Sequence, residues 1–212
     1  MSKEILVDRL NELSASDRPD QVADFLPLIR DAEAFADQQR DPEAYHLAAL
    51  VWYDYPDDTK ERSDKVKSFL TRALSIDPDH MFARQYIAYT CFDEGDYEAA
   101  LSHLRRLNTD YFENLDQHWR VLKNRELEIA ADLYLGNAVS QSAFANLVFD
   151  YVSAESDDYA PIPLELAQCL ANLHSAGRSD RLIVGQFTQL VDRLSCRHAL
   201  VSEMAVLERN MP

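Results

Sequence analysis

Glycine is scarce in this chain, with four residues in 212 against about 7% in an average protein. A phosphate-cradling loop needs several glycines close together, so that the backbone can approach its ligand. Gly95, Gly136, Gly177 and Gly185 stand far apart, which excludes a dinucleotide-binding or P-loop fingerprint. Sheet folds rich in tight hairpins are disfavoured for the same reason, since those turns want positive φ. Cations are also few: 21 Lys and Arg face 37 Asp and Glu, for a net charge of −16. Broad binding to nucleic acid or to an anionic membrane needs the opposite balance, so neither is an expected partner. Cys91, Cys169 and Cys196 are odd in number, widely spaced and set in apolar, helix-like runs. Buried free thiols are expected of them. No run approaches the ~18 apolar residues of a membrane span. Met1–Asp8 holds no uninterrupted apolar stretch of signal-peptide length. A cytoplasmic location is the expectation.

What the chain does have is helical periodicity, on a 47% apolar composition that can build a core. Ile5, Leu6, Leu10 and Leu13 share a stripe over residues 3–13. Ser14, Ser16 and Asp17 then offer N-caps, and Pro19 suits a first turn. The helix that follows carries Val22, Phe25, Leu26, Ile29 and Phe35, with Pro27 inside it to bend or split it. Asp41-Pro42 opens the next helix, which Tyr55-Pro56-Asp57-Asp58 closes. A helix over about 61–75 stops at Ile76-Asp77-Pro78-Asp79, because the residue before a proline is pushed out of the α region. Helices over 80–93, 96–107 and about 113–135 follow, broken at Gly95 and Gly136-Asn137. Another carries Val139 to Val152. Ser153–Tyr159 reads as a loop before Pro161 and Pro163, two helices flank Gly177, and a last one covers about 197–208. The fold class is all-α.

The charge is unevenly spread. Residues 1–58 carry −9, 59–110 carry −1, 111–160 carry −6, and 161–212 are neutral, from 14/5, 9/8, 9/3 and 5/5 acids and bases. The basic groups Lys60, Arg62, Lys65, Lys67 and Arg72 are interleaved with Glu61 and Asp64, the pattern of a solvated helix face. Arg105–Arg106 is the other basic pair.

Gly95, Gly136 and Gly177 recur every 41 residues, each between two apolar helical runs. Glycine closes a helix well because its φ can turn positive. The pattern describes a helical hairpin repeated three times, and such hairpins stack to bury their second faces.

Met81–Asn114 resembles a tetratricopeptide repeat. Arg84, Ile87, Ala88, Cys91, Gly95-Asp96-Tyr97, Ala100, Leu104, Leu107 and Phe112 occupy the positions of that pattern. The small residue, the turn and the second alanine match; the first bulky position, the last alanine and the terminal proline do not. Upstream, Tyr45, Ala49 and Trp52 fit a first helix. Val66, Leu70, Ala73 and Pro78 fit a second, across an insertion near Tyr55–Ser63. The clear resemblance covers about 42–112. It implies antiparallel hairpins stacked as a right-handed superhelix. The organisation is then one helical-repeat domain over 1–212, with N-terminal helices in 1–40 and tetratricopeptide-like hairpins in 41–114. Residues 115–212 hold degenerate repeats or generic hairpins. Ala49, Ala88 and Ala100 are small where helices must approach closely.

The resemblance implies an adaptor, scaffold or chaperone that binds a protein or peptide in a concave groove lined by first helices. Phe82, Gln85, Tyr86, Tyr89 and Asp93 share one face of the helix over 80–93, with Phe92 beside them, if Ile87, Ala88 and Cys91 are the packing side. Glu43, His46, Leu50 and Tyr53 are their upstream counterparts. An aromatic groove with hydroxyls suits a peptide or a partner helix. The competing reading packs the same aromatics into the core. An alternative role is an acidic inhibitor or immunity-type protein that masks a basic partner, using the −9 block to speed association. In the chaperone version, the N-terminal helices form a homodimer.

Catalysis has little support. Histidines 46, 80, 103, 118, 174 and 198 form no metal-ligand spacing, and Cys196-x-His198 places its two groups off a shared helix face. Asp77-Pro78-Asp79-His80 reads as a capped turn more readily than as a metal corner. Asp57–Asp58 and Asp157–Asp158 lie in loops with nothing to tune them. No catalytic residue, metal ligand or cofactor is assigned, and the chain is read as a non-enzyme.

Overall fold

A computed structural model of the chain describes residues 2–15, 22–57, 59–154 and 161–209, excepting the side chains of 195–197. The expectations for Ser16, Asp17, Pro19, Asp58 and Asp157–Asp158, and for the Cys196 side chain, lie outside the described residues. Among those residues every regular element is a helix, and no helix is long and apolar enough to cross a membrane. The contacts divide the chain into two compact units, Met1–Glu94 and Gly95–Pro212.

The first unit comprises α1 (Lys3–Ser14), α2 (Val22–Gln39), α3 (Pro42–Tyr53), α4 (Lys60–Ile76) and α5 (Met81–Asp93). Consecutive helices pair, with α3 against α2 and α4, and α4 against α5. Start signals act as the sequence suggests. Asp41 accepts from Ala44 N–H at 2.8 Å ahead of Pro42, and Thr59 accepts from Arg62 N–H at 3.3 Å. The core holds Leu6, Phe25, Leu28, Ala48, Val51, Leu70, Ala73 and Ala88. Two expectations need correction. Of bending and splitting at Pro27, splitting is excluded, because α2 runs unbroken through the proline. The carbonyl it deprives of a donor is that of Ala23, in an exposed first turn where water can replace the bond. The basic face of α4 is also more than solvated. Lys65 pairs with Glu33 at 2.8 Å, Lys67 with Glu94 at 2.6 Å and Arg72 with Asp37 at 3.7 Å. Lys65 and Arg72 also lie over the rings of Trp52 and Tyr45.

The second unit comprises α6 (Tyr97–Leu104), α7 (Thr109–Glu113), α8 (His118–Leu135), α9 (Gln141–Ala154), α10 (Leu164–Ser175), α11 (Arg181–Val191), a 3-10 turn (Ser195–Leu200) and α12 (Val201–Glu208). α8 is its hub, touching α6, α7, α9 and α10, while α9 packs on α11 and α10 on α12. The helix expected over about 113–135 starts later, as α8 at His118; Glu113 ends the short α7, and Asp116 takes φ +55° in the turn between them. Both units show the repeat-like stacking of helix pairs that the sequence pattern suggests.

Gly95, Gly136 and Gly177 all take positive φ, at +78°, +75° and +68°. At Gly136 the reason is explicit. It sits in the left-handed C-cap of α8, where its N–H reaches Leu133 O and Asn137 N–H reaches Asp132 O. Gly136→Ala should therefore cost about 1–2 kcal/mol in chemical denaturation, while Gly185→Ala, inside α11 with open space around it, should be neutral or slightly stabilising.

Candidate functional site

The site begins with two helices whose sequence places aromatic and polar side chains on facing sides. α3 carries His46, Leu50 and Tyr53, and α5 carries Phe82, Gln85, Tyr86, Tyr89 and Asp93. Rings join across the two helices. His46 stacks on Phe82 (5.9 Å between centroids, 17° between planes) and touches Tyr86 at 5.7 Å. Tyr86 meets Tyr53 edge-on at 5.1 Å and Tyr89 at 5.9 Å. Five of the eight expected residues thus form one chain of rings.

Exposure grades along that chain. Gln85 is fully buried, and His46 and Tyr89 are nearly so. Leu50, Tyr53, Phe82 and Tyr86 are half-buried, and Asp93 is exposed. The stripe is therefore a seam between α3 and α5 with an accessible rim, and its buried members serve as packing.

The rim opens on a cavity of about 560 Å³, bounded by Tyr53, the first turn of α4 around Lys60 and Arg62, and the end of α5 at Thr90 and Asp93. Arg62 donates to the carbonyls of Tyr53 and Tyr55 at 3.4 and 3.2 Å, which ties the start of α4 to the end of α3. Burial raises the Tyr53 hydroxyl above its ordinary pKa, and Asp93 and Tyr86 add to this. Tyr53 therefore stays a neutral phenol, able to donate beside the Asp93 carboxylate.

Sequence reasoning missed what lies at the other end of the seam. His80 is the N-cap of α5, its Nδ1 accepting from Ala83 N–H at 3.1 Å. This is the capped turn expected of Asp77–His80, with Asp77 also accepting from Asp79 N–H at 3.0 Å. The imidazole then turns toward α3. Its Nε2 lies 3.2 Å from Glu43 Oε1, and its ring lies 5.1 Å from that of His46. Glu43-Ala44-Tyr45-His46 puts a carboxylate and an imidazole one helical turn apart, a signal readable in the sequence. That His80 joins them is a matter of tertiary packing. Burial opposes ionisation of Glu43, but the Lys3 ammonium at 3.0 Å, helped by His80 and His46, holds its pKa below the ordinary value.

Neither Cys91 nor Cys169 is in a disulfide, and both side chains are buried. Burial pushes the Cys169 thiol up to about 12, so it stays protonated, its Sγ 3.5 Å from the carbonyl of Ala130.

In the second unit the sequence also gave no hint of Glu126. This residue of α8 is completely buried, accepting from Leu166 N–H at 2.9 Å and Tyr151 Oη–H at 2.7 Å, with Lys123 Nζ at 3.1 Å. Lys123 also pairs with Glu165. α10 starts after Pro163, which has no capping side chain; Glu126 supplies the missing acceptor from another helix.

No family model matches the chain, and no curated protein or solved structure matches it.

Proposed function

We propose that the chain is a non-catalytic interaction module, an adaptor, scaffold or chaperone of tetratricopeptide-like design, that holds a peptide or helix of a protein partner along the α3–α5 seam. The observation that carries this reading is the ring chain His46–Tyr86–Tyr53, with its half-buried rim of Leu50, Tyr53 and Phe82, running into the cavity beside Asp93. Half-buried aromatic rings supply contact area at small entropic cost. A phenol that donates and a carboxylate that accepts, both at the cavity mouth, suit the C=O and N–H groups of an incoming backbone. The acidic-inhibitor alternative draws less support, because Asp31, Glu33, Asp37 and Glu43 pair with Arg9, Lys65, Arg72 and Lys3 of the same unit.

Affinity capture from the native cell tests the proposal, using wild type, a Leu50→Ala/Tyr53→Ala double variant, and Phe149→Ala as a surface control on the second unit. The double variant should lose a specific partner at least tenfold while keeping its helical circular dichroism, and Phe149→Ala should keep the partner. Equal recovery by all three contradicts the proposal. Binding at the seam should weaken little as salt is raised through the physiological range, whereas an interface built on acids should weaken steeply. For the homodimer version, the exposed Ile5, Val22 and Leu26 of α1 and α2 are the surface to test. Light scattering of Leu26→Glu against wild type should show a loss of dimer if that contact forms.

A further inference from the structure

We propose that Glu43, His46 and His80 bind one divalent transition-metal ion of the zinc class, through one carboxylate oxygen and two imidazole nitrogens. One ligand atom from each residue lies within 4.8 Å of the other two. The His80 Nε2 to Glu43 Oε1 distance of 3.2 Å is close to the ~3.4 Å edge of a tetrahedron whose metal–ligand bonds are about 2.0–2.1 Å. His80 provides a second, independent observation. Its side chain is only 6% exposed, and its buried Nε2 makes no hydrogen bond among the described residues. The Glu43 oxygen is near enough but off the direction that an N–H bond needs. A buried nitrogen beside a carboxylate oxygen, with no hydrogen bond between them, is placed as it would be around a shared ion.

The chemistry of the set selects the ion. Two imidazoles favour zinc, cobalt or nickel over magnesium or calcium, which prefer all-oxygen shells. Lys3 holds Glu43 Oε2, which leaves Oε1 for single-oxygen ligation and fixes the carboxylate's orientation. Three protein ligands leave a position for water, on the side where Glu43 is exposed. Ligation has one local cost. A metal on His80 Nε2 puts the ring proton on Nδ1, so the bond from Ala83 N–H is given up. The lost cap weakens the site roughly fivefold relative to a histidine whose Nδ1 is free to donate. The ion would pin α3 to the start of α5, beside the rings of Phe82 and Tyr86 that His46 touches.

The test titrates Zn2+ into the chelator-stripped full-length protein by calorimetry, with Co2+ absorption to report coordination and Mg2+ as the control for loose binding to the acidic surface. His80→Asn keeps an N-cap acceptor while removing the ligand, and Glu43→Gln keeps the volume while removing the charge. Wild type should take up one Zn2+ and show the intense visible bands of four-coordinate Co2+, and Mg2+ should not compete. Each variant should lose at least tenfold in Zn2+ affinity. Absence of one-to-one Zn2+ binding by wild type overturns the proposal, as does undiminished binding by both variants. If a variant fails to fold, the histidine ring 15N resonances of wild type decide. Zn2+ should shift those of His46 and His80, and a Zn2+ titration that leaves both unmoved overturns the site. These outcomes are independent of whether the seam binds a partner.

Discussion

Glu126→Ala should destabilise the fold by about 3–5 kcal/mol at neutral pH, because it removes one partner of a buried ionic network and leaves the others unpaired. Leu166 N–H, the Tyr151 hydroxyl and the Lys123 ammonium all point at this carboxylate. Among the described residues no other side chain caps α10, whose preceding residue is Pro163. The same residue has a pH signature. Burial pushes the Glu126 carboxyl from its ordinary 4.5 up to about 7, against the pull of Lys123, Leu166 and Tyr151. Between those two values the folded chain binds more protons than the unfolded chain. The stability this group contributes is therefore full below about pH 4.5 and declines as pH rises through 7. Wild type should lose about 2.5 kcal/mol relative to Glu126→Gln between pH 5 and pH 8. Urea denaturation of the pair across that interval reads the effect directly, since the other carboxylates cancel in the difference. A pH-independent difference would contradict this account of Glu126, and so would an alanine variant within 1 kcal/mol of wild type.

Phe25→Ala should cost about 3–5 kcal/mol, the range for emptying a large aromatic site in a packed core. Phe25 is buried and meets Tyr55 edge-on at 6.2 Å; Tyr55 in turn meets Trp52 at 5.8 Å. Trp52 donates its indole N–H to Glu33 at 3.1 Å and lies under Lys65. Emptying the Phe25 site therefore loosens the junction of α2, α3 and α4 that also holds Tyr53 in place. Trp52 emission should move to longer wavelength under native conditions, and the denaturation midpoint should fall. An unchanged midpoint would mean that these rings touch without contributing to stability.

The legible parts of the fold were those written in local chemistry. Asp41 before Pro42, Asp96 after Gly95 and the stop at Ile76 each act within a few residues, and each appears where the sequence put it. The 41-residue glycine interval was legible because a positive φ is a local demand. Positive φ without glycine was not legible. Arg40 and Asp116 take φ of +53° and +55° with ordinary side chains, so no residue type flagged them. The candidate site was half legible. Helical spacing put the aromatic residues of α3 and α5 on common faces, but it could not say how far each ring is buried. Gln85 inside and Asp93 outside follow from neighbours remote in sequence. The Glu43–His46–His80 cluster and the Glu126 cap share that property. Each depends on a residue some 34–40 positions away, where spacing rules carry no information.

Site-specific photo-crosslinking in the native cell reads out whether a partner sits on the α3–α5 seam. A benzophenone amino acid replaces Tyr53, at the mouth of the cavity, or Phe149, which is 70% exposed on the second unit. A partner seated on the α3–α5 seam should give a discrete polypeptide adduct from position 53, diminished when Leu50→Ala is added, and none from position 149. An adduct from position 149 with none from position 53 would contradict the seam as the binding surface.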